Sequence, residues 1–254
     1  LKLHAGDALT GSLYYTFFKG KADARMMNTV CFDAFIPGNH EFDDGDATLK
    51  AFLDELAQGP CQTPTLSANI VPAPGTPLAP AGGKPYLQPM LIKEIGGVRV
   101  GLVGITIADK TRASSRPLAS TQFLDETKSA QAAIDALTAQ GVRHIVLMTH
   151  HGFDADQAMV SRLRGVDVVI GGDSHTLQGD FKALGLKGGL LGGRDHTDGA
   201  VELFEGGLEA ARVEVCFGLG GEQLGQGCAG VVGQLQQARE HGRHELAVRS
   251  EEHT

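Results

Sequence analysis

The 254-residue chain lacks several features that mark common classes of protein. No apolar run approaches the ~20 residues that a membrane-spanning helix requires, so no membrane span is expected. The formal net charge is −8 and no basic stripe occurs, which argues against binding to a nucleic-acid polymer. The four cysteines form no CxxC pair, and Cys31, in an apolar context, is interpreted as a small buried hydrophobic residue. The redox compartment is left open.

What the chain does contain is four polar clusters, each placed directly after an apolar, strand-like run. They are His4-Ala5-Gly6-Asp7, Gly38-Asn39-His40-Glu41-Phe42-Asp43, Thr149-His150-His151-Gly152 and Gly171-Gly172-Asp173-Ser174-His175-Thr176. Open α/β sheets place their sites at the carboxyl ends of strands. Carboxylate, imidazole and amide side chains are ligands for divalent metals. Four such loops therefore predict a metal site rather than a set of packed histidines.

Strand-like and helix-like segments alternate as far as about Lys187. Helices are predicted over 12–18, 23–30, 125–140 and 154–164, with one more after Asp44. Strands are predicted over 34–37, 65–70, 144–148 and 166–170, and Gly96-Gly97 predicts a hairpin between 90–95 and 98–105. This order predicts an α/β fold in which helices cover mixed sheets.

The composition changes after about Lys187. Residues 188–254 are rich in glycine and lose all periodicity, so we expect a disordered tail of doubtful reading frame. We interpret the ending 249–254 as a translated sequencing adapter. The first residue is Leu1, inside a strand-like run, and we expect an upstream portion to be missing. The metal-binding domain is therefore predicted to occupy residues 1–187.

Asp7 and Asn39 are the first two predicted metal ligands. A two-metal phosphoesterase needs a bridging carboxylate between ions ~3.5–4 Å apart, which lower the pKa of a bound water and clamp the attacking and leaving oxygens. Asp7, at a strand end, is the candidate bridge, with a turn cap as the alternative. Asn39 is interpreted as a neutral ligand, with a simple turn residue as the alternative.

His40 and Asp43 are predicted to do the proton chemistry. A protonated imidazole beside the metals stabilises the transferring phosphoryl group and donates a proton to the leaving alkoxide. Asp43, three residues on, can hold that ring in one tautomer and raise its pKa. The alternative is two turn residues. Glu41 is interpreted as an anchor of the loop, not as a ligand.

The remaining candidate ligands lie after two later strands. His150 is preferred over His151, which is interpreted as a solvated neighbour. Asp173 and His175 are two residues apart, and alternate residues of an extended segment point to the same side, so either or both can face the metals. A plain Gly-Asp turn explains Asp173 equally well. His4 and His144 are interpreted as packed or surface residues.

Together these strings resemble the metallophosphatase domain of the 5′-nucleotidase family, within the calcineurin-like metallophosphoesterase superfamily. The resemblance implies a four-layer αββα sandwich that hydrolyses nucleoside 5′-monophosphates with two divalent ions, whether Zn, Mn, Mg or Ca. It also implies that Asp7 bridges the ions, that Asn39 and His150 bind one of them, that His175 serves the other, and that His40 with Asp43 forms the catalytic dyad. Many members carry a histidine where this chain has Asp173.

The resemblance also sets out what is expected to be absent. Members have an upstream strand ending in Asp-x-His and a C-terminal domain with aromatic residues that stack on the base. With no tryptophan and three tyrosines, this chain offers no candidate base clamp. Export to the periplasm or outside the cell is implied, with a nucleotide or other small phosphoester as the partner. The alternatives are a related hydrolase of cyclic nucleotides, dinucleotides or other esters, or an inactive fragment that binds at most one metal. The parent protein is expected to be an enzyme, while this chain by itself is expected to show little or no turnover.

Overall fold

The computed structural model describes residues 1–80, 82–175, 200–203 and 214–215. The helices are α1 (Leu13–Phe18), α2 (Lys21–Val30), α3 (Gly45–Gln58), α4 (Ala108–Ser114), α5 (Glu126–Ala139) and α6 (Phe153–Val160). The strands are β1 (Lys2–His4), β2 (Ala34–Phe35), β3 (Ile70–Val71), β4 (Met90–Ile95), β5 (Val98–Thr106), β6 (Gln122–Phe123), β7 (His144–His150), β8 (Val168–Gly171), β9 (Ala200–Leu203) and β10 (Glu214–Val215).

Two sheets carry the loops of interest. The larger has the order β4-β5-β7-β8-β9; β5, β7 and β8 are parallel, and both edge strands are antiparallel to their neighbours. The smaller has the order β10-β1-β2 and is parallel throughout. Gly96 and Gly97 both have positive φ, as a primed hairpin turn requires, which confirms the predicted β4–β5 hairpin.

The two sheets pack face to face, because each has one apolar face directed at the other. Along β5, Val100 and Leu102 face the inner core with Leu3 and Ile36 of the smaller sheet. On the opposite face of β5, Val103 and Ile105 pack instead with the apolar face of α5. Helices α2 and α3 cover the outside of the smaller sheet, where they enclose Phe35 and Phe52. The order helix, sheet, sheet, helix confirms the predicted αββα fold.

One local prediction was wrong, and one helix was missed. The segment 65–70 is not one strand: Thr65 and Leu66 make single parallel bridges, and the regular ladder begins only at Ile70. Helix α4 was not predicted, because its short sequence has no apolar period. Its place is set by contacts from outside the helix, including the bond that Ala108 N donates to Glu126 Oε1.

The sequence suggested that Cys31 is a small buried hydrophobic residue. In the structure it instead forms a disulfide with Cys61. The bond joins the end of α2 to the segment after α3, where Asn28 Nδ2 also donates to Glu55 O. The two cysteines are 30 positions apart, so no local spacing motif marks them. Only the packing of α2 on α3 brings them together.

The predicted tail, residues 188–254, lies outside the described residues except for β9 and β10. These two strands extend the edges of the larger and smaller sheets respectively. The division at about Lys187 stays a prediction. None of the helices in the described ranges has the length and apolar character needed to cross a membrane.

Candidate metal and catalytic site

The loops after β1, β2, β7 and β8 meet at one end of the two packed sheets. His150 Nε2 lies 3.0 Å from Asp7 Oδ2 and 3.6 Å from Asp173 Oδ1. Asp7 Oδ1 accepts a hydrogen bond from His40 N at 3.0 Å, which joins the loop after β1 to the loop after β2. Three of the predicted ligands are therefore adjacent, although they come from positions far apart in the chain.

Glycine at two positions allows this close approach. A Cβ at Gly38 would lie 2.2 Å from Asp7 Oδ1 and 2.7 Å from His150 Nε2. A Cβ at Gly172 would lie 2.7 Å from Ala5 O and 2.9 Å from His150 Nδ1. Any side chain at either position would fill the space that the ligands share. The glycines before Asn39 and Asp173 are thus part of the site.

The donor atoms on the buried side of the site suit a metal ion. Asn39 is buried, and neither of its amide atoms has a hydrogen-bond partner; His150 Nε2 is also buried without one. His150 Nδ1 lies 2.7 Å from Ala5 O. Because that carbonyl can only accept, Nδ1 carries a proton, and Nε2, which faces Asp7 Oδ2, is the ring nitrogen that could bind a cation.

Among the residues that the structure describes, no group of three or more His, Cys, Asp or Glu side chains is arranged to hold a metal by itself. The amide of Asn39, which is none of these four residue types, is a further possible metal ligand. Leaving buried polar atoms unpaired costs about 1–3 kcal/mol each, so the unpaired amide of Asn39 favours a ligand in the loop that contacts Asp7. The donor chemistry of Asp7, Asn39 and His150 suits a divalent cation.

Three candidate ligands have strained backbones. Asp7 has φ 55° and Asp173 has φ 87°, a region that residues with a side chain rarely adopt, and a third candidate, His175, has φ 53°. Such strain is concentrated at functional sites, where the surrounding structure enforces it. Asp173 also forms an ion pair with Lys110 of α4. His175 lies two residues further on and is exposed; its part in metal binding stays a prediction.

Glu41 ties the first two loops together, as predicted. Its buried carboxylate accepts hydrogen bonds from the backbone N–H groups of Gly38, Asp7, Ala8 and Leu9. Burial and the charge of Asp7 raise the pKa of Glu41 to about 7, against the effect of these N–H groups, which favour the charged form. All four bonds hold backbone, so Glu41 sets the shape of the site without entering it.

The His40–Asp43 pair forms the exposed side of the site. His40 Nδ1 and Asp43 Oδ2 are 2.7 Å apart, and the two side chains are 46% and 27% exposed. A single 3-10 turn, 40–42, brings them together, since residues three apart lie on one face of such a turn. Partial burial lowers the pKa of His40, but the hydrogen bond with Asp43 and the charge of Asp7 outweigh it and raise the pKa above its ordinary value.

Burial also lowers the pKa of His150, but neighbouring carboxylates raise it by more. Desolvation lowers the pKa of His150, while the Asp7 carboxylate, the bond to Ala5 O and Asp173 raise it, to about 9. For Asp7, burial raises the pKa, but His150 and His40 lower it below the usual value. A cation bound between these side chains would take the place of the imidazole proton as the partner of Asp7.

The sequence suggested that His151 is a solvated neighbour of the site, and this interpretation was wrong. Its side chain is only 14% exposed, and Nδ1 lies 3.4 Å from Asp156 Oδ1. Asp156 Oδ2 accepts from Thr149 Oγ1 at 2.8 Å. This buried cluster supports the turn from β7 into α6. Asp156 follows the motif by several residues, and only the helical turn of α6 brings it back.

The fold and the donor set define a metal-dependent hydrolase of the α/β sandwich type. Residues 1–177 match the family described as calcineurin-like phosphoesterase, so the chain belongs to that family. This membership confirms the predicted family and its class of enzyme, a phosphoesterase. Divalent metal ions are implied by the family; their number and identity are not.

Relatives and solved structures agree with this assignment. A protein of Treponema pallidum named "Probable 5'-nucleotidase" is 42% identical over 188 residues, which is 74% of this chain and 30% of that protein. The structure of Haemophilus influenzae NAD nucleotidase superposes with a TM-score of 0.66 at 37% identity, covering 73% of this chain and 31% of that one. A 5′-nucleotidase precursor from Thermus thermophilus gives a TM-score of 0.64 at 38% identity, with 70% and 33% covered. The chain thus spans about 30% of the length of the curated relatives it matches.

Proposed function

We propose that this chain is the metal-binding part of a phosphomonoester hydrolase that converts nucleoside 5′-monophosphates to nucleoside and phosphate. The observation that carries the proposal is that the buried, unpaired amide of Asn39 and the buried His150–Asp7 pair lie beside the half-exposed His40–Asp43 pair. The relatives named 5′-nucleotidase support the choice of substrate. A nucleotide or another small phosphoester is the partner, and no nucleic-acid polymer is proposed.

In this proposal Asp7 would be shared by two divalent ions. Asn39 and His150 would hold one of them, and Asp173 and His175 would contribute to holding the pair. When bound, the ions supply an activated water and neutralise charge on the phosphoryl group. The short hydrogen bond from His150 to Ala5 O orients the imidazole so that Nε2 faces the ion. Lys110, paired with Asp173, is the group that a bound cation would compete with.

His40 acts as the proton donor to the leaving alkoxide. Asp43 accepts from Nδ1 and so directs Nε2 outward, toward the exposed mouth of the site. The raised pKa of His40 increases its protonated fraction near neutral pH, which is the form that a general acid needs. The same charge stabilises the transferring phosphoryl group.

The disulfide supports a location outside the cytosol. Disulfides persist in oxidising compartments and are rare where thioredoxin and glutathione keep thiols reduced. The Cys31–Cys61 bond therefore favours the periplasm or the extracellular space. Thiol titration of the denatured chain should find two more free thiols after reduction than before. Equal counts before and after reduction would contradict this location.

The function is tested by phosphate release from the purified chain with AMP and added Mn²⁺ or Zn²⁺. We expect release that depends on the metal and that falls about 100-fold or more in His40→Ala, because general acid catalysis contributes on that scale. Metal affinity, measured by calorimetry, should not change in that variant. Asp109→Asn, at a side chain that is 99% exposed, is the matched control and should leave both unchanged.

A substrate panel separates the alternatives. Release from a cyclic nucleotide or a dinucleotide, with none from monophosphates, would redirect the proposal to another ester. Binding of one metal equivalent without any release would support a non-catalytic fragment. Release that survives in His40→Ala would remove His40 from the mechanism.

A further inference from the structure

Both carboxylate oxygens of Asp43 are hydrogen-bonded, and only one of the partners comes from the motif. Oδ2 faces His40 Nδ1 at 2.7 Å, and Oδ1 accepts from Ser115 Oγ at 2.8 Å. Ser115 lies 72 positions further along the chain, directly after α4. From this geometry we propose that Ser115 is a positioning residue that orients Asp43 and, through it, His40. This inference rests on the proposed function.

The backbone around Ser115 is held in position by bonds that do not involve its hydroxyl. Ser115 N donates to Thr111 O at 3.2 Å at the end of α4, and the next residue, Arg116, donates its N–H to Phe42 O at 2.9 Å. Two residues beyond, Leu118 N donates to Asp46 Oδ1 at 2.8 Å. Segment 116–118 is thus fixed to segment 42–46 by two bonds just after Ser115, and Ser115 N itself is held by the last turn of α4. Removing the hydroxyl leaves these anchors in place.

The bond from Ser115 to Asp43 matters because water can reach both side chains of the His40–Asp43 pair. Asp43 and His40 are 27% and 46% exposed, so water competes for each of their polar atoms. Rotation of a carboxylate about its last torsion has broad, nearly two-fold wells, and one hydrogen bond restrains it weakly. A bond to each oxygen fixes the plane of the carboxylate. Ser115 thereby holds Oδ2 in line with Nδ1 and keeps the proton of a neutral ring on Nδ1, with Nε2 left toward the substrate.

The neighbouring Ser114 provides a matched control. Its hydroxyl donates to Lys110 O within α4 at 2.7 Å, whereas the side-chain bonds of Asp43 go to His40 and Ser115. Ser114→Ala and Ser115→Ala therefore remove the same atom from adjacent positions of one segment. Ser115→Thr keeps the hydroxyl and adds a methyl group at a partly exposed site.

The experiment measures the tautomer of His40 in the metal-free chain by ¹⁵N NMR at alkaline pH, where the ring is neutral. His40 is assigned from the resonance that His40→Ala removes. We expect the parent chain, Ser114→Ala and Ser115→Thr to hold the proton on Nδ1. In Ser115→Ala the Nδ1-protonated fraction should fall severalfold, with the thermal midpoint unchanged within a few degrees.

An unchanged His40 spectrum in Ser115→Ala would overturn the proposal. So would a changed spectrum accompanied by a large fall in the thermal midpoint, because that would show a structural role only. Turnover of AMP gives a second readout: Ser115→Ala should lower kcat roughly tenfold with KM unchanged, and Ser115→Thr should restore it. The NMR result needs neither metal nor substrate, so failure of the proposed function is recognised separately from failure of this inference.

Discussion

The two sides of the site differ in their access to water, although adjacent residues build them. Asn39 and His150 are fully buried, and the side chain of Asp7 is 8% exposed. His40 and Asp43, one and four residues after Asn39, are 46% and 27% exposed. Burial strengthens electrostatic attraction, which suits groups that hold a cation. Exposure suits groups that exchange a proton with substrate or solvent. A single 3-10 turn passes from one environment to the other within four residues.

Gly38→Ala should disrupt the buried side most. The new methyl group would overlap Asp7 Oδ1 and His150 Nε2, so both side chains would have to shift. We expect a loss of about 3 kcal/mol or more in the free energy of unfolding, together with loss of metal binding. Denaturant unfolding and calorimetry measure the two effects.

Gly75→Ala is the control for that variant. No atom lies within 4 Å of a Cβ at Gly75, and its φ of +79° alone should cost about 1 kcal/mol. Equal losses in the two variants would mean that close approach at Gly38 is not what the site depends on.

His4 tests the buried side through pH. Burial lowers its pKa to about 4, and its ring packs edge-on against Phe32 and Phe35. The unfolded chain binds the proton more tightly than the native one, so stability is fully present above pH ~6.5 and is lost as the pH falls toward 4. The loss attributed to His4 should be on the order of 3 kcal/mol. His4→Phe should remove this part of the pH dependence, as denaturant midpoints at pH 4 and 7 would show.

Asn39→Ala should separate stability from metal binding. The substitution deletes two buried polar atoms without partners, so the metal-free protein should gain about 1 kcal/mol in stability. Its metal affinity should fall at least about tenfold, because a ligand is lost. Thermal unfolding with and without Mn²⁺ measures both. A destabilised metal-free variant would show that the amide has a structural role.

Lys19→Met should have the smallest effect, since it breaks an ion pair on the exposed side. Lys19 Nζ lies 2.9 Å from Asp44 Oδ2, and the side chains are 58% and 34% exposed. Exposed pairs contribute little, and we expect a change within about 0.5 kcal/mol. A much larger loss in the free energy of unfolding would mean that ion pairs stabilise the exposed side as strongly as burial stabilises the other side.

The sequence was sufficient for the fold and for the local part of the site. The alternation of apolar runs and the Gly96-Gly97 turn predicted the sheets, because period and turn chemistry act over a few residues. The string from Gly38 to Asp43 likewise predicted the His40–Asp43 contact, which lies within one turn. Glu41 was recognised as an anchor for the same reason.

Contacts between distant segments could not be predicted in this way. Lys110 meets Asp173 and Ser115 meets Asp43 only because α4 and the segment after it cross the end of the sheet. The Cys31–Cys61 bond depends on how α2 packs against α3. Each of these pairs joins residues 30 or more positions apart, and no periodic pattern marks either partner.

The four bonds of Glu41 have a consequence for how the family varies. Three of them reach the loop after β1, and all of these end on backbone N–H groups, which every residue except proline possesses. The bonds from Ala8 and Leu9 therefore set no requirement on those side chains beyond the exclusion of proline, although Leu9 is also held by its burial in the core. The carboxylate that shapes this loop lies 32 to 34 positions later, at Glu41. A substitution at Ala8 is therefore compatible with an unchanged loop, whereas loss of the Glu41 carboxylate removes all four bonds.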